Sequence, residues 1–118
     1  MEGDEQLSEN AKNHIQNTQN TIYAGHVSFF EMVIKMKLGK IITKRNLDDF
    51  IKATKDSFIE ILPSEEEHFT KYLEIPFIAE HRDPFDRLLI ATAIYENLSI
   101  ISVDEKFDYY TDLVNIIW

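Results

Sequence analysis

Between Glu80 and Ile94 the chain passes from a polar turn to a strongly apolar helix, and this stretch constrains the fold more than any other. Asp83 has the chemistry of an N-cap, because its carboxylate can accept hydrogen bonds from the first free backbone N–H groups of a helix. Pro84 follows at the first helical position, where its missing N–H costs nothing. Asp86 falls one turn in, at the positive end of the helix dipole, which favours its ionised form. Leu88-Leu89-Ile90-Ala91, with Ala93 and Ile94, is too apolar for a surface helix. A carboxylate is therefore held at the mouth of a buried helix that runs from Pro84 to about Asn97. Acids are common in a first turn, so one reading is that both aspartates only cap. The other is that Asp86 belongs to a site.

The rest of the chain alternates strand and helix signals. Ser8 opens a short helical pattern that ends in the polar run Asn17-Thr18-Gln19-Asn20. Thr21-Ile22-Tyr23-Ala24 is a short β-type run closed by Gly25. Residues 27–38 form an apolar helix stopped by Gly39. A second helix spans about 46–55, with Leu47, Phe50, Ile51 and Thr54 on one face. Phe58-Ile59-Glu60-Ile61-Leu62 reads as a strand ended by Pro63. Ser64 and Glu67 have the spacing of a capping box for the helix that follows, and Pro76 breaks that helix. Ser99-Ile100-Ile101-Ser102-Val103 and Val114-Asn115-Ile116-Ile117-Trp118 are short apolar strands. A turn or short helix from Asp104 to Tyr109 lies between them.

This alternation implies an α/β fold with a mostly parallel sheet and helices on both faces. At 118 residues it is one domain on length, large enough to fold without disulfide or structural metal. Cysteine is absent, which excludes a disulfide scaffold and cysteine-ligated zinc. No apolar run reaches the length of a membrane span, so a cytoplasmic location is the expectation. The net charge of −9 argues against general nucleic-acid affinity. Residues 31–56 are the one basic region, through Lys35, Lys37, Lys40, Lys44, Arg45, Lys52 and Lys55. A solvated helix surface is the simpler reading of that region, and phosphate steering the other.

In parallel sheets ligands bind beyond the carboxyl ends of the strands, so acids near those ends matter most. Asp104 directly follows the strand 99–103. Asp86 lies at a helix start. Glu31 shares a helical face with Val27, Ile34 and Leu38, where a carboxylate is costly unless paired or bound to a cation. An i,i+4 pair with Lys35 is the plainer account. Three acids from separate segments, without cysteine, suit Mg²⁺ or Mn²⁺ and the metal-assisted hydrolysis of phosphodiesters. His81 reads as a phosphate contact or as a satisfied turn histidine. Arg87 reads as a phosphate contact or, preferably, as the partner of a neighbouring carboxylate.

The run His81-Arg82-Asp83-Pro84-Phe85-Asp86-Arg87-Leu88-Leu89-Ile90-Ala91 resembles the hallmark of PIN domains of the VapC toxin type. Val27-Ser28-Phe29-Phe30-Glu31, with Lys35 and Leu38-Gly39-Lys40, resembles that family's serine-x-x-glutamate helix. Ser102-Val103-Asp104, followed by Phe107, Tyr109 and Tyr110, resembles its threonine/serine-x-aspartate strand end. The resemblance implies a three-layer α/β/α sandwich over residues 1–118, with a five-stranded parallel sheet ordered 3-2-1-4-5. It implies a Mg²⁺- or Mn²⁺-dependent endoribonuclease, commonly a homodimer, that acts on RNA and is neutralised by a VapB-type antitoxin. Glu31, Asp86 and Asp104 would then be the catalytic metal ligands, with Asp83 as helix cap and Ser102 and Arg87 in support.

The family opens with an apolar central strand that ends in an aspartate, and this chain shows no such strand. Met1-Glu2-Gly3-Asp4-Glu5-Gln6-Leu7-Ser8 resembles the loop and helix start that follow it, and neither Asp4 nor Glu5 takes the place of the missing acid. The expectation is an N-terminally truncated PIN-like domain with weak or absent activity. Unpaired edges at 21–24 and 99–103 would be closed by rearrangement or by strand exchange between subunits. The alternative is a degenerate, non-catalytic PIN domain that binds an antitoxin.

Overall fold

The helix that begins at Pro84 organises the larger part of the structure, a computed structural model that describes residues 7–40 and 45–118. Asp4, Glu5 and Lys44 lie outside the described residues. The elements run α1 (Glu9–Gln16), β1 (Ile22–Gly25), α2 (His26–Lys37), α3 (Leu47–Asp56), β2 (Ile59–Leu62), α4 (Glu66–Glu74), α5 (Pro84–Glu96), β3 (Ile100–Ile101), a 3₁₀ helix (Glu105–Tyr110) and β4 (Ile116–Ile117). The fold is the mixed α/β class that the alternation predicts. No helix among the described residues is long and apolar enough to cross a membrane.

The chain divides into two compact units, one of Glu66–Trp118 with the N-terminal segment through Asn20, the other Thr21–Glu65. In the first unit α4 packs on α5. Ile75, Ile90, Ala93, Phe107, Tyr110 and Val114 form its core, with Ile78, Ile94, Leu98, Ile100 and Ile116 partly buried against it. Asn97 ends α5 in the left-handed conformation (φ 56°). The Asn97 N–H then reaches Ile94 O at 3.3 Å and the Leu98 N–H reaches Ala93 O at 2.8 Å, which turns Leu98 back towards the core. β3 and β4 pair in parallel, Ile100 opposite Ile116 and Ile101 opposite Ile117. α1 starts from Ser8, whose hydroxyl accepts from the Ala11 N–H at 3.0 Å, and the Asn10 side chain bonds the Trp118 carbonyl at 3.3 Å.

In the second unit β1 and β2 pair in parallel, Ile22 opposite Ile59 through Gly25 opposite Leu62. Asn46 and Asp49 form a reciprocal capping box at the start of α3. Gly39 ends α2 at φ 72°, and the next N–H, of Lys40, returns to Lys35 O at 2.9 Å. None of the fully buried side chains among the described residues lies in this unit.

The strands are shorter than the apolar runs suggest. Residues 99–103 yield only Ile100–Ile101 as a strand; the Ser102 N–H still bonds the Ile117 carbonyl at 3.1 Å, and the next bond, from the Asp104 N–H, goes to the Ser102 hydroxyl. The helix after Pro63 starts at Glu66, later than a cap at Ser64 would place it. Among the described residues the strands form two separate two-stranded sheets, β1–β2 and β3–β4, and not the five-stranded sheet that the resemblance implies.

Phe58 follows α3 in the left-handed region (φ 61°), a place glycine usually fills, and is 93% exposed. Its side chain therefore returns little burial for the strain. Phe58→Gly relieves about 1–2 kcal/mol of steric cost and adds about 0.5–1 kcal/mol of chain entropy cost. The variant is expected to be more stable by roughly 0.5–1 kcal/mol in urea unfolding, and a lower urea midpoint would contradict this account of the turn.

Candidate functional site

The first turn of α5 separates the two aspartates by function. Asp83 Oδ1 accepts from the Phe85 and Asp86 backbone N–H groups, at 2.9 and 3.2 Å. Its carboxylate is committed to the cap, as the Asp-Pro sequence predicts. Asp86, one turn further on, is only 18% exposed and meets His81 instead, with Nε2 3.1 Å from Oδ2.

His81 lies in the turn ahead of α5 and is 1% exposed. Its other nitrogen, Nδ1, is 2.8 Å from the Tyr110 hydroxyl. Its ring sits edge-on to Tyr110 and Phe107, with centroids 5.4 and 6.2 Å away. Tyr110 is fully buried at the end of the 3₁₀ helix. Arg87 Nη1 donates to that hydroxyl at 3.1 Å and to the Pro76 carbonyl at 3.2 Å, and the guanidinium lies 5.2 Å from the Tyr72 ring centre. Four side chains thus form one continuous buried polar chain, Arg87–Tyr110–His81–Asp86. Burial pushes the Tyr110 phenol above its usual 10.0, against the opposing pull of the nearby Arg87 charge. The hydroxyl keeps its proton and remains a donor.

Two residues differ from expectation here. Arg87 bonds no carboxylate and is too deeply buried to meet a phosphate; its donors go to a phenol and a carbonyl. A guanidinium pointing into the core satisfies a loop carbonyl that has no helix partner, and this fixes its direction. His81 takes the turn-histidine reading, with both ring nitrogens satisfied inside the protein.

Asp104 is exposed and caps the 3₁₀ helix, its Oδ1 accepting from the Lys106 N–H at 3.0 Å. Ser102 supports it directly, since its hydroxyl accepts the Asp104 N–H at 3.1 Å. The 3₁₀ helix that Asp104 caps ends at Tyr110, a member of the hydrogen-bonded chain that reaches Asp86. Glu31 lies on α2 in the second unit, where Lys35 pairs with it at 3.7 Å. Its neighbours are more open than the apolar run suggests, because α2 holds no buried residue and Phe30 is 57% exposed. In the basic segment Lys35 is taken up by this pair, and the Arg45 guanidinium lies 4.9 Å from the Phe50 ring centre.

Taken singly, these acids offer donors of the kind a hard cation takes. Asp86 Oδ1 and Asp104 Oδ2 make no hydrogen bond among the described residues, so each aspartate keeps one oxygen for a ligand. Carboxylate oxygens without thiolate or free imidazole fit Mg²⁺ or Mn²⁺ better than zinc. Tyr110 was legible only as one of the aromatics after Asp104. Its signal lies in the apolar period of the short helix, where Phe107 and Tyr110 face inward together.

Compared with known families, residues 1–113 match the family model described as PIN domain. No curated protein matches the chain.

The raised phenol has a definite pH consequence. A group that binds its proton more tightly when folded contributes stability that is whole below its unfolded value of 10.0 and is lost as pH rises through the higher folded value. Between about pH 9 and about pH 11 the urea midpoint of the protein should fall more steeply than that of Tyr110→Phe. At neutral pH the same substitution is expected to cost about 1–3 kcal/mol, since it strips a buried ring nitrogen of its partner. Parallel pH profiles for the two proteins would refute the assignment.

Proposed function

The chain belongs to the PIN-domain family, and from that premise we propose that it is a metal-dependent endoribonuclease of the VapC toxin type, the toxin half of a VapBC-type pair. PIN domains are in general nucleic-acid-binding nucleases that depend on a divalent metal. The observation that carries the finer reading is Asp86, a half-buried carboxylate in a helix first turn with one oxygen engaged by His81 and the other unengaged. It stands between Glu31 and Asp104 in the order of the toxin-type motifs.

In this reading residues 1–118 act as one domain, and Glu31, Asp86 and Asp104 hold Mg²⁺ or Mn²⁺ through carboxylate oxygens. A bound cation would activate water for attack on the phosphodiester and stabilise the leaving oxygen. Asp83 keeps the helix start in place, Ser102 sets the direction of Asp104, and Arg87 anchors the wall behind Asp86. A site of these three acids alone would hold weakly a cation that takes few protein ligands, so residues 1–118 tested by themselves are expected to cleave weakly. The further partners are a VapB-type antitoxin and a second copy of the chain in a cytoplasmic homodimer. The edges of β1 and β3 opposite their paired strands could accept an exchanged strand.

The test is cleavage of RNA with Mg²⁺ or Mn²⁺ by this chain, and by the same chain preceded by an apolar strand that ends in aspartate. We expect little cleavage from the first, and EDTA-sensitive cleavage from the second that Asp86→Asn reduces at least about a hundredfold. Robust EDTA-sensitive cleavage by the chain as it stands, abolished by Asp86→Asn, would refute the predicted weakness. Silence from both proteins would favour a non-catalytic domain that only binds its antitoxin.

A further inference from the structure

We infer that His81 is a positioning residue for Asp86, the last link of a hydrogen-bond relay that fixes which oxygen of that carboxylate faces a cation. The inference rests on the reading of Asp86 as a metal ligand.

The direction of the relay follows from what each group can do. A guanidinium only donates, so Arg87 Nη1 gives its hydrogen to the Tyr110 oxygen at 3.1 Å. A carboxylate only accepts, so the contact of 3.1 Å between His81 Nε2 and Asp86 Oδ2 requires the hydrogen on Nε2. In the neutral imidazole His81 Nδ1 is then the acceptor, and the Tyr110 hydroxyl the donor to it at 2.8 Å. Every hydrogen then points the same way, from Arg87 towards Asp86, and no buried polar side-chain atom among the described residues lacks a partner.

A lone carboxylate would not be so constrained. The terminal torsion of aspartate is broad and two-fold, so its oxygens exchange freely at an exposed site. Here Oδ2 is held by a ring that is 1% exposed, packed edge-on between Phe107 and Tyr110, and fastened at its far nitrogen. The consequence is that Oδ1 alone is presented. Such outer partners of metal ligands raise ligand basicity and fix orientation, and their removal typically weakens metal binding about 10–100-fold.

The experiment uses the full chain in two arms. In the first, nitrogen NMR of ¹⁵N-histidine-labelled protein should show His81 with its hydrogen on Nε2 and a bare Nδ1, a pattern that Tyr110→Phe disturbs. A hydrogen resident on Nδ1 in the unsubstituted protein would overturn the relay, whether or not any variant folds. In the second arm, direct Mn²⁺ binding is followed by EPR, with circular dichroism to confirm folding. His81→Phe should weaken binding about tenfold, while His81→Gln, whose amide can donate to the same carboxylate, should stay within about threefold of the unsubstituted protein. A folded His81→Phe with unchanged Mn²⁺ affinity, beside an Asp86→Asn that has lost binding, would overturn the positioning role alone. Unchanged binding in Asp86→Asn would overturn the metal-ligand reading and this inference with it.

Discussion

A positive charge buried in the larger unit sets the terms for everything around it. The Arg87 side chain is only 7% exposed, with no carboxylate against it, and a guanidinium in that position is tolerable only if its surroundings accept its hydrogens. The Pro76 carbonyl, the Tyr110 hydroxyl and the Tyr72 ring do so. These contacts fasten three segments to one side chain: the turn after α4, the 3₁₀ helix and α5 itself. With His81 neutral, the phenol that accepts from Arg87 gives its own hydrogen to His81, and His81 gives its hydrogen to Asp86. A requirement of desolvation thus becomes the orientation of a half-buried acid.

The sequence carried the framework of this arrangement more fully than its interior. Asp83, Pro84 and the apolar run behind them predicted α5, its cap and its burial, because capping is a local matter decided by neighbours in the chain. Gly39, Asn46 and Ser8 were equally legible as helix boundaries. Arg87 and His81 were legible as candidates but not as partners. Each had several possible contacts at similar distance in sequence, and the choice was made by Tyr110, 29 residues after His81. Long-range pairing of this kind leaves no periodic trace. The openness of the helix face around Glu31 was not legible, since an apolar neighbourhood in sequence becomes a buried one only where another layer covers it, and α2 has no buried residue.

The sheets show the same division between local and distant information. The apolar runs located all four strands among the described residues, and the parallel pairing followed from the intervening helices. Strand length did not follow. Past Ile101 the ladder adds one more bond, from the Ser102 N–H to the Ile117 carbonyl at 3.1 Å, and the Asp104 and Lys106 N–H groups then turn to the Ser102 and Asp104 side chains.

The uneven burial of the two units has a consequence for how each of them opens. Asp86 and Asp104 belong to the unit that holds every fully buried side chain among the described residues; Glu31 belongs to the one that holds none. Segments with few buried apolar contacts open locally at low free-energy cost, while those built on a packed core open only near global unfolding. Amide exchange is therefore set unit by unit: residues 26–37 of α2, with no buried side chain, are expected to exchange by local opening well before residues 84–96 of α5 are released.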